Sequence, residues 1–181
     1  MGLSFDAAYG QSALALGEDI ISINSFSKYF NMTGWRLGWL VVPEALVDVM
    51  ERLTQNLYIC ASAIAQHAAL ACFEPASLAL YEERRAAFQA RRDYFVPALE
   101  QAGLRVPVMP DGAFYAWADC SRYTDSSWDF CLRIMREAHV ALTPGRDFGP
   151  AAAERYLRLS FASSLEQLQE AARRLSQFVA S

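Results

Sequence analysis

The chain of 181 residues is 54% hydrophobic and 20% charged, which is typical of a folded globular protein and not of a disordered one. Its net charge of −4, with arginines scattered along the chain, argues against a nucleic-acid-binding surface. The four cysteines form no CxxC pair and the two histidines lie far apart in sequence, so we predict reduced thiols and no metal site.

The longest uncharged run, Leu53–Phe73, is long enough to raise the question of a membrane span. It contains several amide side chains and His67 and has no basic flanks, so it predicts a buried helix of a soluble domain with no membrane partner. The N-terminal residues have no basic region, and Asp6 occupies the position where a myristoylation signal requires Ser or Thr. We therefore expect a cytoplasmic protein.

The first predicted elements are two short strands, Asp19–Ser25 and Trp35–Val42. Because the connection between them is too short for a helical crossover, we expect antiparallel pairing, with the connecting loop at one end of the sheet. The spacing of apolar residues then predicts a helix from Pro43 to Leu57 and a second helix over Ser62–Phe73.

A long helix with an apolar stripe and a charged face is predicted from Pro75 to the residue before Gly103. The elements after it alternate between strands and helices. They are strands at Leu104–Met109 and Ala113–Ala118 around the turn Pro110–Gly112, a helix at Ser127–Ala138, strands at Val140–Thr143 and Arg155–Ala162, and a last helix through Phe178. Ser164 followed by Gln167 is a capping box at the start of the last helix.

This order of elements predicts an α/β fold in two parts, residues 1–73 and residues 74–181. The first part has only two clear strands, which are too few to make a stable sheet. We therefore expect its missing neighbours to come from another chain or from residues that this sequence lacks. The second part is predicted to be a small sheet covered by helices.

Lys28 is the only lysine among the sixteen basic residues, and it lies in the loop between the first two strands. Its amine is the type of nucleophile that forms a Schiff base with an aldehyde. Ser25, Ser27 and Arg36 are potential donors to a phosphate group. An aldehyde and a phosphate on one small molecule describe pyridoxal 5′-phosphate. From the residues alone, an ordinary solvated lysine remains the alternative.

The segment 25–39, SFSKYFNMTGWRLGW, closely resembles the cofactor-lysine signature of the fold-type I, class I/II pyridoxal-phosphate aminotransferases. The family pattern of Ser-x-Ser-Lys, an aromatic stretch with glycine and then Arg-x-Gly is present without a gap. The resemblance implies that Lys28 is the catalytic, cofactor-bearing lysine. It also implies that Ser25, Ser27 and Arg36 hold the cofactor phosphate.

The rest of the chain is similar to the same family, and residues 156–162, YLRLSFA, resemble the segment whose arginine binds the substrate α-carboxylate. That role falls on Arg158. Strand alternation places Arg158 on the face opposite Leu157 and Leu159, where it could meet a carboxylate in two parallel hydrogen bonds. Taken alone, an arginine on a strand face is an ordinary solubilising residue.

The resemblance implies an aspartate aminotransferase-like fold in a homodimeric enzyme that transfers an amino group from an amino acid to a 2-oxo acid. Residues 1–73 would be the incomplete end of the large cofactor-binding domain, and residues 74–181 the small C-terminal α/β domain. Two alternatives stay open. One is another fold-type I pyridoxal-phosphate enzyme, a carbon–sulfur lyase or a decarboxylase, and the other is a non-catalytic remnant of the fold.

Family members carry a long segment before the part that this chain resembles. That segment supplies the acid that protonates the cofactor ring nitrogen and most strands of the large sheet. We therefore expect the isolated chain to bind pyridoxal phosphate weakly and to turn over negligibly.

Overall fold

The computed structural model describes residues 2–6 and 12–180. It divides into two compact units, the first ending at Arg85 and the second beginning at Ala86. The division falls within one long helix, after the boundary predicted between residues 73 and 74, and that predicted domain boundary stays a prediction.

The first unit contains two antiparallel strands, β1 (Ser22–Ser25) and β2 (Gly38–Val41). The predicted antiparallel pairing is therefore confirmed. Both strands are shorter than predicted. The second begins later because residues 33–35 form a 3₁₀ turn and Arg36 then has a left-handed backbone conformation.

The helices of the first unit are α1 (Val47–Leu57) and α2 (Ala63–Leu70). Short 3₁₀ turns at Glu44–Leu46 and Ala71–Phe73 precede α1 and follow α2. The two helices predicted over Pro43–Leu57 and Ser62–Phe73 are confirmed, but the burial predicted for the run Leu53–Phe73 is wrong for much of it.

The run Leu53–Phe73 is interrupted between α1 and α2, where Ile59 has a positive φ of 69°. Leu57 and Ile64 remain 70% and 73% exposed, because nothing in the described part of the unit packs over them. Ala65, Ala69 and Cys72 are buried, so the run has one face in the interior and an opposite apolar face that is uncovered. Over residues 2–6 and 12–180, no helix is long and apolar enough to cross a membrane.

Helix α3 (Pro75–Gln101) has the bounds that the sequence predicts. Its predicted apolar stripe is directed inward in both units, with Tyr81 buried in the first and Phe95 and Leu99 buried in the second. The charged residues on the other face, beginning with Glu82, are more exposed.

The second unit contains a three-stranded antiparallel sheet in the order β3 (Tyr115–Asp119), β5 (Tyr156–Ser160), β4 (Thr143–Pro144). The predicted strand over Leu104–Met109 is wrong. Only a single bridge joins Arg105 to Asp119. The reason is Pro107, which has no N–H to donate to a neighbouring strand.

Helices α4 (Ser127–Arg133) and α5 (Leu165–Ala180) complete the second unit. A π-helical turn, Ile134–Ala138, continues α4 to the predicted end. The predicted capping box is confirmed, because the backbone N–H of Ser164 donates to Gln167 Oε1 and that of Gln167 donates to Ser164 Oγ. The largest fully buried side chains of this unit are those of Leu99, Leu104, Ile134, Leu157, Leu159, Phe161 and Leu175.

Candidate active site

The loop that carries Lys28 is closed at its base by the two strands of the first unit. Ser25 pairs with Gly38, and the N–H of Phe26 donates to the carbonyl oxygen of Leu37 at 3.1 Å, which continues the ladder into the loop. A Cβ atom at Gly38 would lie 2.5 Å from the carbonyl oxygen of Asn24, so a larger residue would push the strands apart. The start and the end of the loop are thus held together at one end of the sheet.

A chain of hydrogen bonds connects three of the four predicted cofactor residues. The N–H of Ser27 donates to Ser25 Oγ at 3.0 Å, and Thr33 Oγ1 donates to the carbonyl oxygen of Ser27 at 2.6 Å. Arg36 Nη1 in turn donates to the carbonyl oxygen of Thr33 at 2.9 Å. The structure therefore brings Ser25, Ser27 and Arg36 together through Thr33.

Thr33 is a residue that the sequence analysis did not select. Its place before Gly34 in a loop is the kind of position where a hydroxyl side chain bonds nearby backbone, and that signal was available. Its two hydrogen bonds make it the link between the serine side and the arginine side of the loop.

Buried side chains anchor the loop beneath Lys28. Phe26, Tyr29, Phe30 and Met32 belong to one hydrophobic cluster with Ala69, Cys72 and Tyr81. Lys28 itself is exposed, and its carbonyl oxygen accepts from the N–H of Asn31 at 3.0 Å. The neighbours on either side of Lys28 are therefore fixed in the interior, while Lys28 lies in the exposed part of the loop.

The hydroxyl of Tyr29 adds a polar tie to this anchor. It donates to Glu82 Oε1 at 2.6 Å. Burial and the nearby Glu82 carboxylate raise the pKa of Tyr29 to about 12. The same hydrogen bond, aided by the Arg85 guanidinium, lowers the pKa of Glu82 below its usual value. Tyr29 is thus a neutral donor at physiological pH that fixes the loop to α3.

The segment 25–38 contains two cationic residues, Lys28 and Arg36, and no Asp or Glu. Hydroxyls and a guanidinium suit the oxygen atoms of a phosphate, and a primary amine suits an aldehyde. The donor set therefore fits the phosphate and aldehyde ends of pyridoxal phosphate. An acid for the ring nitrogen is not part of this segment.

A wide groove of 1510 Å³ borders the loop, but most of the predicted cofactor residues do not line it. Trp35, Arg36, Trp39 and Met50 line it, together with the chain around Ile64, whereas Ser25, Ser27 and Lys28 do not. Because its walls are mainly apolar faces of β2, α1 and α2, we interpret the groove as uncovered packing surface and not as the cofactor site.

Arg158, the predicted carboxylate-binding residue, lies in the second unit on β5, opposite Trp117 of β3. The alternation is as predicted, since Leu157 and Leu159 are fully buried and Arg158 is only partly buried. The Arg158 Cζ atom lies 4.1 Å from the ring centroid of Tyr115 and 4.4 Å from that of Phe148.

The two arginines of β5 and the turn before it have different partners. Arg155 donates through Nε and Nη2 to Asp119 Oδ2 at 2.9 and 2.7 Å. Among residues 2–6 and 12–180, no carboxylate forms a salt bridge with Arg158. Arg155 is therefore committed to the protein itself, while Arg158 retains donors for a carboxylate ligand.

A family model described as aminotransferase class I and II matches residues 2–175. The chain belongs to this family. Among its relatives, valine–pyruvate aminotransferase of Mycobacterium tuberculosis is 36% identical over 181 residues, which are 99% of this chain and 47% of that protein. Aspartate aminotransferase of Thermotoga maritima is 34% identical over 160 residues, 88% of this chain and 40% of that protein.

Solved structures of aminotransferases show the same fold. An aminotransferase from Mycobacterium tuberculosis matches 98% of this chain and 46% of its own with a TM-score of 0.91 and 35% identity. The aromatic aminotransferase from Pyrococcus horikoshii matches 98% of this chain and 48% of its own with a TM-score of 0.90 and 34% identity. The predicted aspartate aminotransferase-like fold is thus confirmed, and the chain spans about half the length of the relatives it matches.

Proposed function

We propose that this chain is the C-terminal part of a pyridoxal-phosphate-dependent aminotransferase that moves an amino group from an amino acid to a 2-oxo acid. The observation that carries the proposal is the hydrogen-bonded loop around the only lysine, Lys28, in a chain of the class I and II aminotransferase family. Relatives named as valine–pyruvate, aspartate and aromatic-amino-acid aminotransferases support this reaction class.

In this proposal, Ser25, Ser27 and Arg36 hold the phosphate of the cofactor and Lys28 holds its aldehyde end. When bound, pyridoxal phosphate supplies an electron-withdrawing ring that stabilises negative charge at the substrate Cα. Thr33 orients Arg36 through its carbonyl oxygen. Because three groups on one hydrogen-bonded chain grip the phosphate, the cofactor cannot rotate about its own axis.

The Lys28 amine also has a role in proton transfer. In its neutral form Nζ accepts the proton from the substrate Cα as a general base. As a general acid it then returns this proton to the C4′ carbon of the cofactor. An arginine could not do this, because guanidinium stays protonated. This explains why lysine persists at position 28 in a chain whose other basic residues are all arginine.

Arg158 is proposed to bind the α-carboxylate of the amino acid and of the 2-oxo acid. A guanidinium meets a carboxylate in two parallel hydrogen bonds, which fix orientation as well as position. Orientation of the substrate decides which bond at Cα is broken, so the residue contributes to reaction choice and not only to affinity. A homodimeric assembly and a cytoplasmic location stay predictions.

The test is a hybrid enzyme in which the N-terminal part of the Mycobacterium tuberculosis relative precedes this chain. Given L-valine, pyruvate and pyridoxal phosphate, the hybrid should form alanine, and Lys28→Ala should abolish the product while leaving the far-ultraviolet circular dichroism unchanged. Arg158→Lys should raise the KM for pyruvate. The matched substitution Arg155→Lys, at an arginine paired with Asp119, should leave that KM unchanged.

Product analysis separates the proposed reaction from other chemistry of the same fold. A transaminase consumes pyruvate in equal amount to the amino donor. Release of carbon dioxide or of a thiol without consumption of pyruvate would contradict the proposal and identify a decarboxylase or a carbon–sulfur lyase.

A further inference from the structure

We infer that Tyr115 and Phe148 are positioning residues that hold the Arg158 guanidinium for a carboxylate without occupying its hydrogen-bond donors. The inference rests on the proposed role of Arg158 in substrate binding. Residues 143–149 resemble a Pro-Gly-x-x-Phe-Gly loop of the family, but the sequence alone gives Phe148 no role; it follows β4 and precedes β5 in a separate turn.

The two rings act on Arg158 from different elements. Tyr115 belongs to β3 and Phe148 to the 3₁₀ turn Gly145–Phe148, yet Arg158 Cζ lies over both ring faces at 4.1 and 4.4 Å. Both distances are well within the range of about 6 Å at which a cation is attracted to an aromatic ring. The Arg158 side chain is therefore restrained between a ring on β3 and a ring in the turn.

The rings are themselves fixed by other aromatic contacts. Phe148 meets Trp117 edge-on at 5.4 Å, and Trp117 stacks on Tyr156 at 5.6 Å. Tyr115 packs against Phe114 at 4.4 Å. A ring that is held by a further ring loses little entropy when it restrains the arginine, so the arrangement is preorganised before a ligand arrives.

The turn that carries Phe148 is constrained by its final glycine. Gly149 has φ 128° and ψ 170°, a conformation that is essentially restricted to glycine. Any side chain at this position would change the direction in which the chain leaves Phe148. The sequence thus fixes the turn at the residue that follows the ring.

The contrast with Arg155 shows what the rings achieve. Asp119 restrains Arg155 with two hydrogen bonds and a full negative charge, so its donors are used. Aromatic faces restrain Arg158 through the ring quadrupole, which leaves the in-plane N–H groups for a ligand. Two arginines only three positions apart are therefore suited to different tasks, one structural and one for binding.

The experiment is side-chain nitrogen NMR of the full chain, titrated with pyruvate. The Nε–Hε signal of Arg158, identified by its loss in Arg158→Lys, should shift on addition of pyruvate. In Phe148→Leu and Tyr115→Leu the signal should move downfield before any pyruvate is added, since the ring current is lost. The pyruvate Kd should rise by about 3- to 10-fold in each variant.

Conservative variants and a matched control separate positioning from folding. Phe148→Tyr and Tyr115→Phe keep a ring and should restore the wild-type Kd. Trp128→Leu removes the ring beneath a different arginine, Arg146, at 3.5 Å and should leave the Kd unchanged. If a leucine variant loses the amide spectrum of the folded unit, the methionine variant replaces it, because methionine fills irregular space more readily.

Two negative results have different meanings. A signal that shifts with pyruvate equally well in the wild type and in the leucine variants would overturn the inference and leave the role of Arg158 intact. A wild-type signal that does not respond to pyruvate would contradict the proposed role of Arg158 itself, and the inference with it.

Discussion

Arg36 Nη1 donates a hydrogen bond to the carbonyl oxygen of Thr33 at 2.9 Å, while the backbone of Arg36 is left-handed, with φ 52° and ψ 50°. A non-glycine residue in this conformation is disfavoured by about 1 kcal/mol. The loop therefore retains an arginine in a backbone conformation that glycine adopts more easily. A cost of this kind is commonly found where a side chain has a binding role.

Arg36→Gly should change the free energy of unfolding by less than about 1 kcal/mol, because relief of the left-handed backbone offsets the lost hydrogen bond. The same change should abolish binding of inorganic phosphate. Urea unfolding and isothermal titration measure the two effects. The control is Arg52→Gly within α1, which should destabilise the protein by about 1 kcal/mol and leave phosphate binding unchanged. Unchanged phosphate binding in Arg36→Gly would exclude Arg36 from the anion site.

Thr33→Val should destabilise the loop by about 1 kcal/mol, since the carbonyl oxygen of Ser27 loses the hydroxyl that donates to it at 2.6 Å. Phosphate affinity should fall as well, because the Thr33 hydroxyl ties the loop to Ser27 and so positions the Thr33 carbonyl oxygen that accepts from Arg36. Thr33→Ser retains the hydroxyl and should behave as the wild type in both measurements. Equal phosphate affinity in the valine and serine variants would show that Thr33 has no part in orienting Arg36.

The lowered pKa of Asp119 predicts that the second unit loses stability at acidic pH. The hydrogen bonds from Arg155, with those from Ser121, lower the pKa of Asp119 to about 2. Because the folded pKa is lower than the unfolded value of about 4, the contribution is complete above pH 4 and is lost as the pH falls towards 2. Asp119→Asn should therefore cost about 1–2 kcal/mol at pH 6 and almost nothing near pH 2. A difference in unfolding free energy that does not shrink on acidification would contradict this.

The open sheet of the first unit should cause self-association of the isolated chain. Ile23 on β1 is 81% exposed and lies directly opposite Leu40 on β2, which is 37% exposed. Such edges and apolar surfaces pair with other chains. Light scattering should show oligomers that Ile23→Lys reduces, whereas Val108→Lys, at a 73% exposed residue of the second unit, should not reduce them. A wild-type monomer at high concentration would refute the prediction.

Residues that start, cap or end helices predicted much of the fold. The limits of α3 follow from Pro75 and Gly103, and the capping box at Ser164 and Gln167 forms as expected. The prediction failed where a single residue overrode a pattern, as Pro107 does in the predicted strand over Leu104–Met109.

The larger error concerns burial. The large apolar residues of the run Leu53–Phe73, such as Leu57 and Ile64, are exposed, because burial depends on partner surfaces that the run itself does not specify. Motifs gave roles to Lys28 and Arg158, but they gave none to Thr33 or Phe148, although both lie in segments that resemble the family. Their roles depend on a side chain meeting a backbone carbonyl across a loop and on a ring approaching from a different element, and neither follows from spacing.

The central claim is that Lys28, beside a phosphate-binding arginine, is the cofactor lysine. Borohydride reduction in the presence of pyridoxal phosphate, followed by peptide mass spectrometry, tests it directly, because Lys28 supplies the only side-chain amine in the chain. Weak binding by the isolated chain is sufficient, since reduction makes the attachment permanent. We expect labelling at Lys28 that is stronger with pyridoxal phosphate than with pyridoxal and that loses this preference in Arg36→Met. Labelling confined to the N-terminal amine, or equal labelling by both aldehydes in the wild type, would contradict the account.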